Sequence, residues 1–265
     1  MTEGRIVLPI SDKFKCSLPI EAHRVVVPIL KEIGNNETRL IGTGFFITLY
    51  GHFLTAKHVL LDIVDEKTQR QKHAAHIVQF VRRVGENEEV LVRPIIAASF
   101  SNESDIALCT LMGERDNLTG EPFVSPVVGL GFHPPSVGSR VRTFAFPESS
   151  SDFVGGSGAG RFVCREYEGV LEESSDKPRD SRVITFPYYR TSIRILGGAS
   201  GGPVFDDASR VFGINCTGYD GTDLSYMARI RDALDLRIDA ILPGNAAPRA
   251  YTVRELIARG HVLMS

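Results

Sequence analysis

Three residues of this chain have the types and settings that nucleophilic catalysis needs. Ser200 lies in the run GGASGGPVF at residues 197–205, where glycines on both sides allow positive φ and expose the hydroxyl. A serine hydroxyl is a weak nucleophile unless a general base takes its proton and another group orients that base. His58 follows a largely apolar run and Asp105 precedes another, so the chain supplies both groups in the order His, Asp, Ser.

The segments around these residues resemble the trypsin-like serine proteases. The matching blocks occur in the family's order: GTGFFI at 42–47, LTAKHV at 54–59, SDIAL at 104–108 and GASGGP at 198–203. The likeness covers about residues 25 to 230 and is closest to the bacterial Do, or high-temperature-requirement, branch. The resemblance predicts a serine endopeptidase.

The resemblance also implies a role for each residue. Ser200 would attack the scissile carbonyl, His58 would take and return the proton, and Asp105 would hold the imidazole tautomer. The backbone N–H groups of Gly198 and Ser200 would bind the oxyanion of an acyl-enzyme mechanism. Such an enzyme acts on a polypeptide and requires neither a metal nor an organic cofactor.

Two other functions use the same residues. A catalytically silent peptide-binding or regulatory module would keep the fold without turnover, and a small-ester hydrolase would use the same atoms. The likeness places Arg194 and Ile195 at the base and wall of the primary pocket and Cys216, Thr217 and Gly218 on the opposite wall. Ile195 favours a small or medium apolar substrate residue, whereas an inward-pointing Arg194 would favour an acidic one.

Three positions depart from the resembling family. Lys57 precedes the histidine where the family usually has a small residue. Ala199 stands where digestive trypsins carry the aspartate of their activation salt bridge, so we expect activity that is independent of zymogen cleavage. Cys216 stands where many relatives have a hydroxyl that supports the aspartate, and a thiol is a weaker donor.

The sequence predicts an all-β fold for the chain that positions these residues. Runs rich in β-branched and aromatic residues alternate with turn residues, and the resemblance predicts two six-stranded antiparallel β-barrels of the chymotrypsin type. Strands are expected at 75–84 and at 182–190, whereas the glycine-rich run 155–160 is expected to be a surface loop. Thr252 and Glu255 have capping-box spacing, which predicts a short C-terminal helix.

The expected organisation has three parts: an N-terminal extension (1–24), a protease domain (25–245) and a C-terminal helical tail (246–265). The first barrel would cover about 25–120 and the second about 123–240. Residues 231–265 are too few for the peptide-binding domain that follows Do-type catalytic domains. Substrate capture and regulation would then come from the catalytic domain, from the extension or from a regulatory protein partner.

Composition sets the remaining expectations. A net charge of −2 gives no electrostatic reason to expect nucleic acid, and no apolar segment approaches membrane-spanning length. Without a recognisable secretory signal, a cytoplasmic location is expected. The four scattered cysteines (Cys16, Cys109, Cys164 and Cys216) are expected to be reduced and mostly buried, without metal-ligand spacing.

Overall fold

The computed structural model describes most of the chain. The described residues are 6–9, 22–34, 37–65, 68, 70–84, 87–115, 120, 123–147, 149–154, 157–218, 224–242 and 247–264. The expected extension lies largely outside them, as does Cys16. Cys109, Cys164 and Cys216 form no disulfide among the described residues.

The first half of the chain forms a closed six-stranded antiparallel barrel. Its sheet order is β6-β5-β2-β3-β4-β7, pairing of β6 with β7 closes it, and β1 adds to the outer edge of β6. The elements are β1 (Ile6–Pro9), α1 (Ala22–Val25), β2 (Val26–Gly34), β3 (Glu37–Phe46), β4 (His52–Thr55), α2 (Lys57–Leu61), β5 (Ala75–Val84), β6 (Asn87–Phe100) and β7 (Ala107–Leu111).

The second half forms another closed barrel, in the order β11-β12-β15-β14-β13-β8. The elements of this half are β8 (Arg140–Ala145), β9 (Ser150–Val154), β10 (Ser157–Arg161), β11 (Arg165–Ser175), β12 (Tyr188–Thr191), β13 (Pro203–Phe205), β14 (Val211–Gly218), β15 (Ser225–Arg229), a 3₁₀ turn (Ile230–Ala233), β16 (Arg237–Ala240), β17 (Arg249–Thr252) and α3 (Val253–Ala258). Strands β9 and β10 form a separate two-stranded sheet, as do β16 and β17. The predicted architecture of two six-stranded barrels with a short C-terminal helix is therefore confirmed.

Helix α3 begins at the capping box that the sequence indicated. The Thr252 hydroxyl accepts from the Glu255 N–H, and the Glu255 carboxylate accepts from the Thr252 N–H. None of the helices in the described ranges is long and apolar enough to cross a membrane.

Two local predictions were wrong. Residues 157–160 belong to strand β10, which pairs with β9, because backbone hydrogen bonds form there without help from side chains. In the stretch 182–190, only the part from Tyr188 onward is strand. Asp180 Oδ1 accepts hydrogen bonds from the N–H groups of Arg182, Val183 and Ile184, which folds that segment into a turn.

The two barrels share one core. The largest cluster of buried side chains contains Phe45 and Leu54 from the first barrel together with Phe144 and Phe205 from the second. Two smaller clusters each draw on one half, around Phe53 in the first and around Phe212 in the second. The shared cluster fixes the barrels against each other, and with them the segments that line the cleft between them.

Candidate active site

His58 is placed by the register between two strands of the first barrel. Strand β4 ends at Thr55, which pairs with Ala107 at the start of β7, and α2 begins two residues after Thr55. The start of α2 therefore lies beside the residues that immediately precede β7. Asp105 is one of them.

Asp105 holds His58 at two points. Its Oδ1 accepts from the backbone N–H of His58 at 2.9 Å, and its Oδ2 lies 2.7 Å from His58 Nδ1. The N–H of Lys57 adds a third bond, to the Asp105 carbonyl at 3.2 Å. An ionised carboxylate only accepts hydrogen bonds, so Nδ1 carries the proton and Nε2 is left as an acceptor.

The surroundings of His58 also set its acidity. Burial lowers the pKa of His58, but the hydrogen bond to Asp105 and the charges of Asp105 and Asp62 outweigh it and raise the pKa above the usual 6.5. The side chain remains 46% exposed, so a substrate can reach the ring. Lys57 directs its ammonium to the carbonyl of Ser101.

Two consecutive turns shape the backbone around Ser200. The N–H of Ala199 bonds to the Leu196 carbonyl, and the N–H of Gly202 bonds to the Ala199 carbonyl. Gly198 and Gly201 occupy the third positions of these turns, with φ of 88° and 87°. Positive φ at that position is what a type II turn requires, so glycine is needed at both.

The segment that contains both turns, residues 196–202, is called the serine turn below and docks against the first barrel. The N–H of Thr43 bonds to the Ser200 carbonyl at 2.8 Å, and a Cβ on Gly201 would lie 2.1 Å from the Thr43 carbonyl oxygen. A Cβ on Gly42 would lie 2.7 Å from the methyls of Val59 and 3.0 Å from the Ser200 carbonyl oxygen. The glycines thus allow the serine turn to approach the helix that carries His58.

The hydroxyl of Ser200 points along the neighbouring strand. It donates to the carbonyl of Cys216 at 3.1 Å, while the hydrogen bonds of His58 among the described residues run to Asp105. The structure thus joins His58 to Asp105 and Ser200 to β14. A hydroxyl has one proton to donate, so the Ser200 hydroxyl must release the Cys216 carbonyl before it can donate to the imidazole.

The predicted oxyanion donors are available. Across the described residues, the N–H groups of Gly198 and Ser200 bond to no carbonyl, whereas those of Ala199, Gly201 and Gly202 are used within the turn or by β14. Two free N–H donors, one on each side of Ala199, can stabilise negative charge on a substrate oxygen.

Cys216 lies where the sequence comparison expected support for the aspartate. Its thiol is buried and lies 3.9 Å from the backbone carbonyl oxygen of Asp105 and 3.4 Å from that of Ile214, and it accepts from the Ala228 N–H. Burial, followed by the charge of Asp105, raises the pKa of the Cys216 thiol, so it stays protonated.

The predicted primary-pocket residues are only partly brought together. The N–H of Ile195 bonds to the Ser225 hydroxyl, and a Cβ on Gly218 would lie 3.2 Å from the Ile195 carbonyl oxygen, so these two walls touch. Thr217 is half-buried on the same strand as Gly218, whereas Arg194 is exposed to solvent.

A cavity of about 650 Å³ has His58 in its lining. Cys216 and Thr217 line it together with Asp105 and the segment 182–186. No sequence pattern predicted this role of 182–186, because the turn that presents the segment depends on Asp180. Within the described residues, no group of three His, Cys, Asp or Glu side chains could hold a metal ion.

Comparisons with known proteins identify the family and the fold. The model of the trypsin-like peptidase domain family matches residues 42–214. No curated protein sequence matches the chain.

Solved structures share the fold. Deg5 gives a TM-score of 0.56 at 16% identity, covering 79% of this chain and 85% of that one. Rv3671c from M. tuberculosis H37Rv, a serine-to-alanine mutant in an inactive form, gives 0.52 at 17% identity, with coverages of 86% and 93%. The serine endoprotease from Yersinia pestis gives 0.51 at 14% identity, with coverages of 79% and 60%.

Proposed function

The chain belongs to the trypsin-like peptidase family, whose members act on polypeptides, and from that premise we propose that it is a serine endopeptidase. His58 is its general base, Asp105 orients that base, and Ser200 is its nucleophile. The observation that carries the proposal is the pair of hydrogen bonds that the backbone N–H and the ring Nδ1–H of His58 donate to the Asp105 carboxylate. It fixes the tautomer whose Nε2 can take a proton from a hydroxyl.

The reaction follows from these groups. Ser200 rotates from the Cys216 carbonyl toward His58, passes its proton to Nε2, and bonds through Oγ to the scissile carbonyl carbon. The oxyanion is bound by the free N–H groups of Gly198 and Ser200. His58 then gives the proton to the leaving amine, and a water molecule, activated in the same way, hydrolyses the acyl-enzyme.

Strand β14 offers an edge for the substrate backbone. Strand β13 pairs with β14 only as far as Ile214, whereas β15 pairs along it to Gly218. Beyond Asn215, one edge of β14 therefore faces the cleft, where an extended peptide can add as a strand.

One observation favours the alternative, a silent peptide-binding or regulatory module. Because the Ser200 hydroxyl is bonded to the Cys216 carbonyl, the nucleophile and base are not connected in this conformation. Catalytic hydrogen bonds often form only when substrate binds, so this geometry alone does not exclude the enzyme. The regulatory partner and the cytoplasmic location stay predictions.

Labelling with a fluorophosphonate probe tests the proposal. The probe reacts with an activated serine hydroxyl, so we expect covalent labelling of the wild type and none of Ser200→Ala, with the modified peptide identified by mass spectrometry. Ser209→Ala is a matched control because it removes a serine hydroxyl from the turn between β13 and β14. A folded wild-type protein that takes no label would favour the silent module.

A further inference from the structure

A buried hydroxyl of the first barrel bonds directly to the serine turn. Thr43 lies in β3 and is fully buried, and its hydroxyl donates to the Gly198 carbonyl at 2.7 Å. The same oxygen accepts from the N–H of Phe146, just after β8, at 3.4 Å. One side chain therefore links β3, the serine turn and the end of β8.

The backbone of Thr43 holds the turn at a second point. Its N–H bonds to the Ser200 carbonyl at 2.8 Å, and its own carbonyl is fixed by the Thr55 hydroxyl at 2.7 Å. Thr43 thus holds the carbonyls of Gly198 and Ser200, one on each side of Ala199. Because a peptide unit is planar, a fixed carbonyl fixes the plane of the unit to which it belongs.

Each of the two fixed peptide units is bonded to a residue whose N–H group is a free donor. The unit between Gly198 and Ala199 comes directly after the Gly198 N–H in the chain. The unit between Ser200 and Gly201 comes directly after the Ser200 N–H. Ala199 itself is buried and brings no charge that could anchor the turn. Leu40 adds only an apolar contact, since a Cβ on Gly198 would lie 2.8 Å from its Cδ2.

We propose that Thr43 is a positioning residue that keeps the N–H groups of Gly198 and Ser200 directed at the substrate oxygen. Its uncharged hydroxyl holds the turn in place of a salt bridge. The inference rests on the proposed peptidase function, because only a reacting substrate places an oxyanion at these donors.

The test compares Thr43→Val with Thr43→Ser in fluorophosphonate labelling resolved into a probe-binding constant and a phosphonylation rate. Valine keeps the shape but leaves the Gly198 carbonyl without its donor, whereas serine keeps the hydroxyl. We expect Thr43→Val to slow phosphonylation about 10- to 100-fold with unchanged probe binding, the range for a displaced donor. Thr43→Ser should restore the rate to near that of the wild type.

Thr48→Val controls for lost stability. The Thr48 hydroxyl is also buried and hydrogen-bonded, to His52 and to the N–H of Tyr50, but it lies in the turn between β3 and β4. The Thr48→Val variant should lower the melting temperature as Thr43→Val does and leave the phosphonylation rate unchanged. An unchanged rate in Thr43→Val would overturn the inference, as would an equal loss in Thr43→Ser.

Hydrogen exchange separates failure of this inference from failure of the proposed function. In the Ser200→Ala background, where no reaction occurs, Thr43→Val should speed exchange of the Ala199 and Gly202 amides, which are bonded within the turn. Thr43→Ser should leave their exchange slow. If the wild type takes no label, the peptidase proposal fails; if exchange in Thr43→Val is unchanged, the positioning role of Thr43 fails.

Discussion

His58 combines a fixed orientation with a raised affinity for protons. Asp105 bonds to its backbone and ring, and the ring nevertheless remains about half exposed. Burial alone would lower the pKa of His58, but the hydrogen bond to Asp105 and the charges of Asp105 and Asp62 raise it. A base must be neutral to accept a proton, and the carboxylate that orients this imidazole thus also restricts the pH range in which it can act.

The rate of fluorophosphonate labelling should therefore fall with decreasing pH, with a midpoint above 6.5. The reason is that His58 becomes protonated as the pH drops through its raised pKa. Asp62→Asn removes one of the charges that raise this pKa and should move the midpoint to lower pH, less so at high salt because Asp62 is exposed. A midpoint at or below 6.5 in the wild type would contradict the assignment.

Asp207→Asn is the matched control for that shift. It makes the same change in net charge in the exposed turn between β13 and β14. Its labelling profile should coincide with that of the wild type.

At the scale of elements, the serine turn depends on close backbone approach. Gly201 has a φ of 87° and faces the Thr43 carbonyl and the Thr55 hydroxyl, whereas Gly197 has open space around its Cα. The two glycines are four residues apart in one run, yet they meet different surroundings. Docking of the turn requires glycine at 201 but not at 197.

Gly201→Ala should be strongly destabilising and Gly197→Ala nearly neutral. A methyl at Gly201 would lie 2.1 Å from two oxygens and in a left-handed conformation, so we expect a loss of more than about 2 kcal/mol in the free energy of unfolding. At Gly197 we expect a change within about 0.5 kcal/mol. Urea denaturation of both variants measures the difference, and equal losses would show that docking at Gly201 does not set the stability of the turn.

The sequence predicted elements where side chains carry the signal. Strand β5 was expected at its observed bounds because apolar residues dominate 75–84, and α3 was expected from the Thr252 and Glu255 pair. Prediction from the sequence failed where the backbone or a single neighbouring side chain decides the local structure. Glycines gave no alternation to identify β10, and Asp180 folds 182–184 into a turn despite their β-branched residues.

The candidate site likewise has one part that the sequence predicted and another part that it did not. Residue types and order pointed to His58, Asp105 and Ser200, but the pairing of Thr55 with Ala107 and the role of the Thr43 hydroxyl depend on contacts between distant segments. Thr43 stands within the quoted block GTGFFI, where its spacing gives no sign that its side chain reaches residue 198.

At the scale of the whole molecule, buried polar groups make stability depend on pH. His52 is buried in β4 and bonds through Nδ1 to the Thr48 hydroxyl. Burial and the charge of Arg93 lower the pKa of His52 to about 4. Arg93 is itself buried, and hydrogen bonds to Gln79 and to the Met112 carbonyl hold it in place.

The free energy of unfolding should fall as the pH drops from 6.5 to about 4. In that window the unfolded chain binds a proton at residue 52 and the folded chain does not, so protonation favours unfolding. The difference in pKa corresponds to roughly 3 kcal/mol across the window. His52→Gln should flatten the dependence, measured by urea denaturation at several pH values, whereas His73→Gln, at an exposed position, should keep the wild-type slope. An identical slope in His52→Gln would contradict the assignment.

The attachment of the serine turn to Thr43 also bears on how the chain matures. Thr43 belongs to a segment that leaves the ribosome long before residue 200, and the turn receives its shape only when the second half of the polypeptide has folded against the first. A half-made or half-unfolded molecule would thus present an ordinary serine with its surrounding amides unaligned. If the chain is the peptidase proposed above, reactivity would arise only after the two halves have folded together, which would protect neighbouring proteins from an incompletely assembled enzyme.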